Sequence, residues 1–393
     1  MKKLSILLIL LLFLCIDAYS QKVAYAVFKG STLTFYYNDK KPQGAYDVEN
    51  MINRGSYYYK EWDSVSHKIK TVVFDKSFKD YRPKSCKRWF YNCSNLIAIK
   101  GIKKNLNTSE VTDMCKMFYY CEKLKKIDVS GFNTANVTDM STMFDICSNL
   151  TSLDVSGFNT ENVTNMAGMF RCCSKLTSLD VSRFNTNKVT AMSAMFHECK
   201  HLTNLDVSGF NTENVKYMCW MFWGCENLTS LDVSRFKTDN VTDMLRMFEG
   251  CIKLTSIDVS GFNTENVTTM EGMFAACLNL TSLNVSGFKT DNVTDMFSMF
   301  TRCSNLTILD VSGFNTEKVT KMSFMFSDCE NLKSIYVGDG WYTSIVTDSE
   351  DMFRNCPNLI GGQGTKYDDH TDASYAHIDG GESNPGYLTK KTK

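Results

Sequence analysis

The sequence predicts an α/β solenoid, in which short parallel strands and short helices form one right-handed stack of coils with atypical caps. The first observation is a register of cysteines, in which successive members stand 26 residues apart from Cys121 to Cys329. The second is that each of these cysteines ends the phrase Met-Phe-x-x-Cys or a near copy of it. A fixed period of this length is typical of repeat proteins, whose neighbouring coils bury one another's apolar faces. The register predicts about eleven coils.

The first twenty residues have the pattern of a secretory signal peptide. Lys2 and Lys3 precede the apolar run 4–16, and small residues follow at the cleavage spacing. We therefore expect an exported protein, located at the cell surface, in the periplasm or outside the cell. A lipoprotein signal that uses Cys15 is the alternative. No later stretch has the ~20 apolar residues that a membrane span needs.

The repeat divides the rest of the chain into three parts. Residues 21–68 lack the period, and a hairpin centred on Gly30 is expected there, so we interpret them as an N-terminal cap. The solenoid is predicted over 69–360, with the strict 26-residue period over about 121–329. The Gly-rich segment 361–393 is interpreted as a C-terminal cap or tail, because terminal coils of a solenoid are expected to be atypical.

Each coil begins with the pattern of a strand. Leu150, Leu153, Val155 and Phe158 follow the opening of a leucine-rich repeat, with Phe in place of the usual Asn or Cys. Leu153 and Val155 alternate with polar residues, which indicates a short strand with one buried face. The sequence therefore predicts a parallel sheet built from one strand per coil.

The second half of each coil changes period. Val163, Met166, Met169, Phe170 and Cys173 are spaced by 3, 3, 1 and 3 residues, which predicts one apolar face of a helix of two to three turns. The cysteine that recurs every 26 residues, here called the ladder cysteine, lies on that face, where it acts as a small hydrophobic residue. We expect free thiols there, and occasional disulfides between neighbouring coils are the alternative.

Composition and motifs argue against an enzyme and against nucleic acid as partner. Lys plus Arg and Asp plus Glu both number 43, so the formal net charge is zero. The segment His197–His201 fits the zinc-protease motif H-E-x-x-H, but Cys199 within it is an inward ladder position, and no third ligand is evident. We therefore expect no catalytic residues and no bound metal at this motif.

One strand position carries an acidic residue in coil after coil. The members of this Asp column are Asp128, Asp154, Asp180, Asp206, Asp232, Asp258 and Asp310. Strands about 4.8 Å apart would place these like charges side by side, so we expect their pKa values to be raised. Hydrogen bonds to neighbouring Ser, Thr and backbone are one way to offset the repulsion, and binding of a hard cation such as calcium is the other.

The repeated phrase from Leu150 to Cys173 resembles the 26-residue repeat of the BspA-like leucine-rich-repeat surface proteins of bacteria. The resemblance covers about residues 69–360, and the segment 361–388 is similar to the ending that such proteins carry. It implies an exported or surface-displayed protein of poorly known function. Some members are thought to bind host matrix proteins or other cells. No catalytic residues come with the resemblance.

We therefore expect a non-enzymatic recognition or adhesion protein that binds a host or bacterial surface protein or a glycan. Coils differ most on the predicted helical side, where Tyr217, Trp220 and Trp223 fall on one helix and His197 lies one coil away. Aromatic residues are enriched at the energetic centres of interfaces, so these four are the candidate ligand-binding residues. A passive structural envelope protein without a specific ligand is the alternative. The sequence leaves the oligomeric state open.

Overall fold

The computed structural model describes residues 21–54 and 57–392, so the predicted signal peptide lies outside the described residues. The described part of the chain begins with an antiparallel hairpin of β1 (Val23–Lys29) and β2 (Thr32–Asn38). Gly30 in its turn has a φ of 64°, a left-handed conformation that glycine adopts at little cost. The predicted hairpin is thereby confirmed. β1 also pairs with the two-residue β3 (Tyr46–Asp47) on its other edge.

A second hairpin and a 3₁₀-helix complete the non-repetitive N-terminal part. β4 (Met51–Arg54) pairs antiparallel with β5 (Tyr57–Lys60), and the 3₁₀-helix Glu61–Lys68 follows directly. Trp62 on this helix is fully buried, and its indole N–H donates to the carbonyl of Trp89 at 2.7 Å. This contact ties the non-repetitive segment to the first turns of the repeat.

The stack begins with two parallel strands next to the first hairpin. β6 (Thr71–Phe74) pairs with β2 on one side and with β7 (Ala98–Lys100) on the other, which gives a five-stranded sheet of order β3-β1-β2-β6-β7. A short 3₁₀-helix, Lys76–Asp80, follows β6, and a four-residue α-helix, α1 (Ile102–Asn105), follows β7. The hairpin thus covers the end of the stack that would otherwise expose a strand edge.

The opposite end of the stack has a similar three-stranded parallel sheet. β8 (Ile308–Val311), β9 (Ser334–Val337) and β10 (Leu388–Lys390) pair in the order β10-β9-β8. Two single-turn 3₁₀-helices, Ala373–Tyr375 and Gly381–Ser383, precede β10. The last strand of this sheet therefore comes from the segment after the repeat.

The second half of each coil consists of turns, so the predicted helices are wrong. In the coil at 166–173, the N–H of Met169 donates to the carbonyl of Met166, and that of Cys173 donates to that of Phe170. The third residues of these two turns, Gly168 and Cys172, have φ values of 61° and 55°, as type II turns require. Two left-handed residues four apart recur at this place in successive coils, and a right-handed helix cannot contain them.

Hydrogen bonding between coils runs along these turns. The N–H groups of Met166, Gly168, Phe170 and Cys172 each donate to the carbonyl of the residue 25 positions later, at 2.7–3.0 Å. By contrast, in the described coils from residue 121 onwards the predicted strand positions form strands only at β8 and β9. In the other described coils these positions form at most isolated β-bridges. The predicted continuous sheet is therefore wrong for the middle of the stack, although the stacking of coils is as expected.

The core columns, which are the apolar positions predicted to be buried in every coil, are confirmed. Val163, Met166, Met169, Phe170 and Cys173 are fully buried, and their equivalents in neighbouring coils are buried too. The Phe rings form a continuous stack along the solenoid, with centroids 5.4–6.0 Å apart from Phe118 to Phe353. Apolar packing between coils is therefore the main source of stability, because a single coil cannot bury these side chains alone.

A buried threonine ladder, missed from the sequence, adds polar links between coils. The hydroxyl of Thr160 donates to the carbonyl of Asn185 at 3.0 Å and accepts from the N–H of the same residue at 2.8 Å. The pattern repeats, for example between Thr212 and Lys237. One hydroxyl thus satisfies two backbone groups of the next coil, which is why a polar side chain is tolerated in this buried column.

The ladder cysteines are free thiols, as expected. Cys147 donates its thiol hydrogen to the carbonyl of Phe118 at 3.2 Å, and ten cysteines from Cys121 to Cys356 make the equivalent bond. Burial raises the pKa of Cys147 and Cys277 to about 12. A protonated, enclosed thiol is a poor nucleophile.

We predict that iodoacetamide at pH 8 leaves the ladder cysteines of the folded protein unmodified. Half-buried Cys172 is the internal control and should react first. After unfolding in denaturant without a reductant, mass spectrometry should show all ladder cysteines alkylated. Alkylation of two or fewer ladder cysteines under those conditions would mean that the ladder is disulfide-bonded.

Candidate interaction surfaces

The candidate aromatic residues lie on the outward side of one turn segment. Tyr217 and Trp220 expose 51% and 38% of their surface. Trp220 is the left-handed third residue of a turn, with a φ of 57°, and Ala194 holds the same position one coil earlier with a φ of 55°. The prediction that these residues share a helix is wrong, but the turns leave both large side chains accessible.

Trp223 and His197 form a pair between neighbouring coils. Their rings stack with centroids 4.3 Å apart and an interplanar angle of 22°, and both side chains are half-buried. The Nδ1 atom of His197 lies 3.9 Å from the sulfur of Cys172. Trp223 is thus partly used in packing, so Tyr217 and Trp220 are the more accessible part of the predicted site.

The environment of His197 keeps its imidazole neutral. Burial lowers its pKa to about 4, and the positive charges of Arg171 and Lys200 act in the same direction. His201 in the same motif binds the carbonyl of Ser174 through Nδ1 at 2.6 Å, and Glu198 pairs with Lys200 at 2.8 Å. The three side chains of the H-E-x-x-H motif therefore each have a separate partner.

The Asp column lies on the exposed side of the predicted strand positions. Within it, Asp154 accepts two hydrogen bonds at Oδ1, from the N–H of Ser156 at 3.0 Å and from its hydroxyl at 2.6 Å. The same pair of bonds recurs from Asp128 to Asp258, and Asn284 makes it with Ser286. At the ends of the column, Lys103 lies 3.6 Å from Asp128 and Lys391 lies 2.9 Å from Asp310.

The expectation of raised pKa values in this column is wrong. Hydrogen bonds from the serine two residues later lower the pKa of Asp128, Asp154, Asp180, Asp232 and Asp258. These bonds outweigh the repulsion between neighbouring carboxylates of the column. Bonds that favour the charged form have this effect on a carboxylate, and water screens the exposed like charges. The column is therefore offset by local hydrogen bonds, and calcium binding stays a prediction.

A quadruple variant with Asn at positions 154, 180, 206 and 232 should melt slightly lower than wild type at pH 7 without calcium. Its amides keep the serine bonds, as Asn284 does, but lose the charge that strengthens them. Because the folded pKa values of Asp154, Asp180 and Asp232 are lowered, this stability is present above the unfolded pKa and is lost as pH falls through the folded values. The difference in melting temperature should therefore vanish in acid. A variant that melts higher at pH 7 would show that repulsion dominates.

Two further clusters were not found from the sequence, because each joins residues of different coils. Asp113, Cys115 and Asp139 bring their ligand atoms within 4.8 Å of one another, but Lys87 already lies 3.0 Å from Asp113. Asp145, whose side chain is 1% exposed, accepts from the Nε of Arg171 at 2.9 and 3.0 Å. Both clusters already contain their own cation, so they are best explained as structural ion pairs.

Among the described residues, no helix has the length and apolar character needed to cross a bilayer.

Solved structures offer only weak similarity. A leucine-rich repeat protein from Eubacterium ventriosum is 15% identical with a TM-score of 0.36, over 93% of this chain and 98% of that one. A TLR13–ssRNA13 complex contains a chain that is 18% identical with a TM-score of 0.29, and the match spans 76% of this chain and 41% of that one. TM-scores this low carry no argument. No curated protein matches the chain.

A protein-family model matches the repeat region in three successive, overlapping segments. These cover residues 84–204, 173–277 and 252–363, which is more than half of the chain. The three matches agree with the internal repeat and with the stacked coils. The chain belongs to the family described as Mycoplasma protein of unknown function, DUF285.

Proposed function

We propose that this protein is an exported or surface-displayed, non-enzymatic recognition protein of the BspA-like kind, which binds a host or bacterial surface protein or a glycan. The observation that supports this proposal most directly is the exposed aromatic pair Tyr217 and Trp220 on an otherwise regular stack. The core columns are the same from coil to coil, so only outward side chains can distinguish one partner from another. Extended surfaces of repeat proteins commonly serve this purpose.

A saturable partner, found by pull-down from host matrix and glycan libraries, would separate recognition from a passive structural role. The double variant Tyr217→Ala with Trp220→Ala should then weaken binding by about 2 kcal/mol or more, the scale of an interface hot spot. Alanine is compatible with the backbone at 220, because Ala194 occupies the equivalent left-handed position. The melting temperature should stay nearly unchanged, since both side chains are exposed.

The matched control is Trp223→Ala, which removes the stack on His197 and should change the melting temperature more than binding. Undiminished binding by the double variant would move the site elsewhere on the solenoid. Absence of any saturable partner would favour the structural envelope role. Turnover of a peptide or glycan that is lost in His197→Ala would contradict a non-enzymatic function.

A further inference from the structure

A groove lies where the non-repetitive N-terminal segment meets the first turns of the solenoid. It consists of two adjoining cavities of about 240 and 520 Å³. Both are lined by Ser66, Tyr91 and Asn92, so they form one continuous depression. Together they reach the volume range of about 300–1,000 Å³ that small-molecule sites occupy.

Tyrosines form one wall of the groove and contact one another. The rings of Tyr91 and Tyr119 stack with centroids 4.8 Å apart and an interplanar angle of 11°. The ring centroid of Tyr120 lies 6.3 Å from that of Tyr119. The guanidinium carbon of Arg88 lies 3.5 Å from the centroid of Tyr91. Tyr119 and Arg88 thus cover the ring of Tyr91, and Tyr120, which is 38% exposed, is the tyrosine that a ligand can reach most directly. Tyrosine offers contact area and a phenol hydroxyl with few rotatable bonds to immobilise.

The charged side chains of the first cavity are already paired within the protein. Glu61 accepts from the N–H of Asp47 at 2.6 Å. Asp63 lies 3.6 Å from Arg88, but among the described residues both of its buried carboxylate oxygens lack a hydrogen-bond partner. Lys60 donates to the carbonyl of Val48 at 2.6 Å, and burial lowers its pKa to about 8. The described walls of the second cavity include no carboxylate, lysine or arginine. Each described charge in the groove therefore has an opposite charge or a backbone group beside it, and the oxygens of Asp63 remain available to accept hydrogen bonds from a ligand's hydroxyls.

Uncharged hydrogen-bonding groups remain available. Within the described chain, the side chains of Ser64, Ser66, Asn92 and Ser94 show no hydrogen bond to another residue, and all four line the groove. Ser66 is 5% exposed. Ser64 and Asn92 are exposed and Ser94 is half-buried, so their polar atoms are accessible to a ligand that enters the groove.

We propose that this groove binds a neutral oligosaccharide. A sugar has both an apolar C–H face, which suits a tyrosine wall, and hydroxyls, which suit serine and asparagine side chains. An ionic ligand would instead need unpaired charges. The site is separate from the Tyr217 and Trp220 surface, so the inference goes beyond the proposed function and can fail independently of it.

The test is titration of the mature protein with four fluorescently labelled neutral tetrasaccharides, built from glucose (α- and β-linked), mannose and N-acetylglucosamine. Fluorescence anisotropy should show saturable binding of at least one, with a Kd that is the same at low and high salt because the sugar carries no charge. Ser94→Trp, which fills the groove, and Tyr120→Ala, which removes part of its wall, should each raise that Kd at least tenfold. Ala276 shows that alanine fits the left-handed backbone of position 120.

Tyr342→Ala is the matched control, because Tyr342 is a tyrosine that is 49% exposed and lies outside both the groove and the Tyr217 and Trp220 surface, so its loss should leave the Kd unchanged. Melting temperatures of all variants should match wild type, and Tyr120→Ala decides the matter if Ser94→Trp fails to fold. Binding by none of the four sugars, or an unchanged Kd in Tyr120→Ala, would overturn the proposal. Saturable binding of a peptide at this groove, with no competition from the sugars, would overturn it too.

Discussion

Replacing Phe222 with alanine is expected to lower the free energy of unfolding by about 3–5 kcal/mol. Phe222 is fully buried, and its ring stacks between those of Phe196 at 5.8 Å and Phe248 at 5.7 Å. The neighbouring coils are held in place by their own hydrogen bonds, so they cannot collapse into the cavity. Urea denaturation followed by circular dichroism measures the change.

Phe222 lies in the middle of the stack, so its loss should also weaken the coupling between the two halves. The free energy of unfolding of a solenoid is the sum of a contribution from each coil and a contribution from each interface between neighbouring coils. The variant should therefore unfold over a broader range of urea concentration than wild type. Tyr217→Ala in the same coil is the control and should change stability by no more than about 0.5 kcal/mol. A loss below about 1 kcal/mol for Phe222→Ala would contradict tight packing of the Phe column.

Replacing Arg171 with alanine is expected to destabilise the protein by about 3 kcal/mol at pH 8. Asp145 is almost fully enclosed, and Arg171 is the residue that pairs with its carboxylate. Burial raises the pKa of Asp145 to about 6, while Arg171 lowers it. Without the guanidinium, an ionised Asp145 would be left in a poorly solvated site, and its pKa should rise further.

The sign of the pH effect follows from the raised pKa. A carboxylate whose folded pKa exceeds its unfolded value contributes stability below the unfolded pKa and loses it as pH rises through the folded pKa. For Asp145 this window runs from 3.8 to about 6 in the wild type, and it extends to higher pH in Arg171→Ala. The variant should therefore lose less stability at pH 5 than at pH 8.

The double variant Arg171→Ala with Asp145→Asn removes the charge as well as its partner. It should recover most of the stability lost at pH 8, and its difference from wild type should depend little on pH. Unfolding free energies at pH 5 and pH 8 for the three proteins provide the test. An equal loss at both pH values in Arg171→Ala would show that packing of the arginine, and not its charge, matters.

The candidate surfaces were only partly predictable from the sequence. Tyr217 and Trp220 were found because they interrupt a regular pattern, and the structure exposes both. The groove beside Tyr91 and Ser66 was not found, because it joins the non-repetitive segment to the repeat and no motif marks it. The serine bonds that lower the pKa of Asp154 depend on a local turn, which the strand interpretation did not include.

The sequence by itself determined that the chain repeats, which columns are buried and where the first hairpin turns. Those features follow from apolar periodicity and from Gly30, which are local properties of the chain. Only the tertiary structure decided that Met166 to Cys173 forms turns. Two successive type II turns and a helix both bring Met166, Met169, Phe170 and Cys173 to one side, so the spacing fits either. The choice is made by the next coil, whose carbonyls accept the N–H groups that a helix would have used within itself.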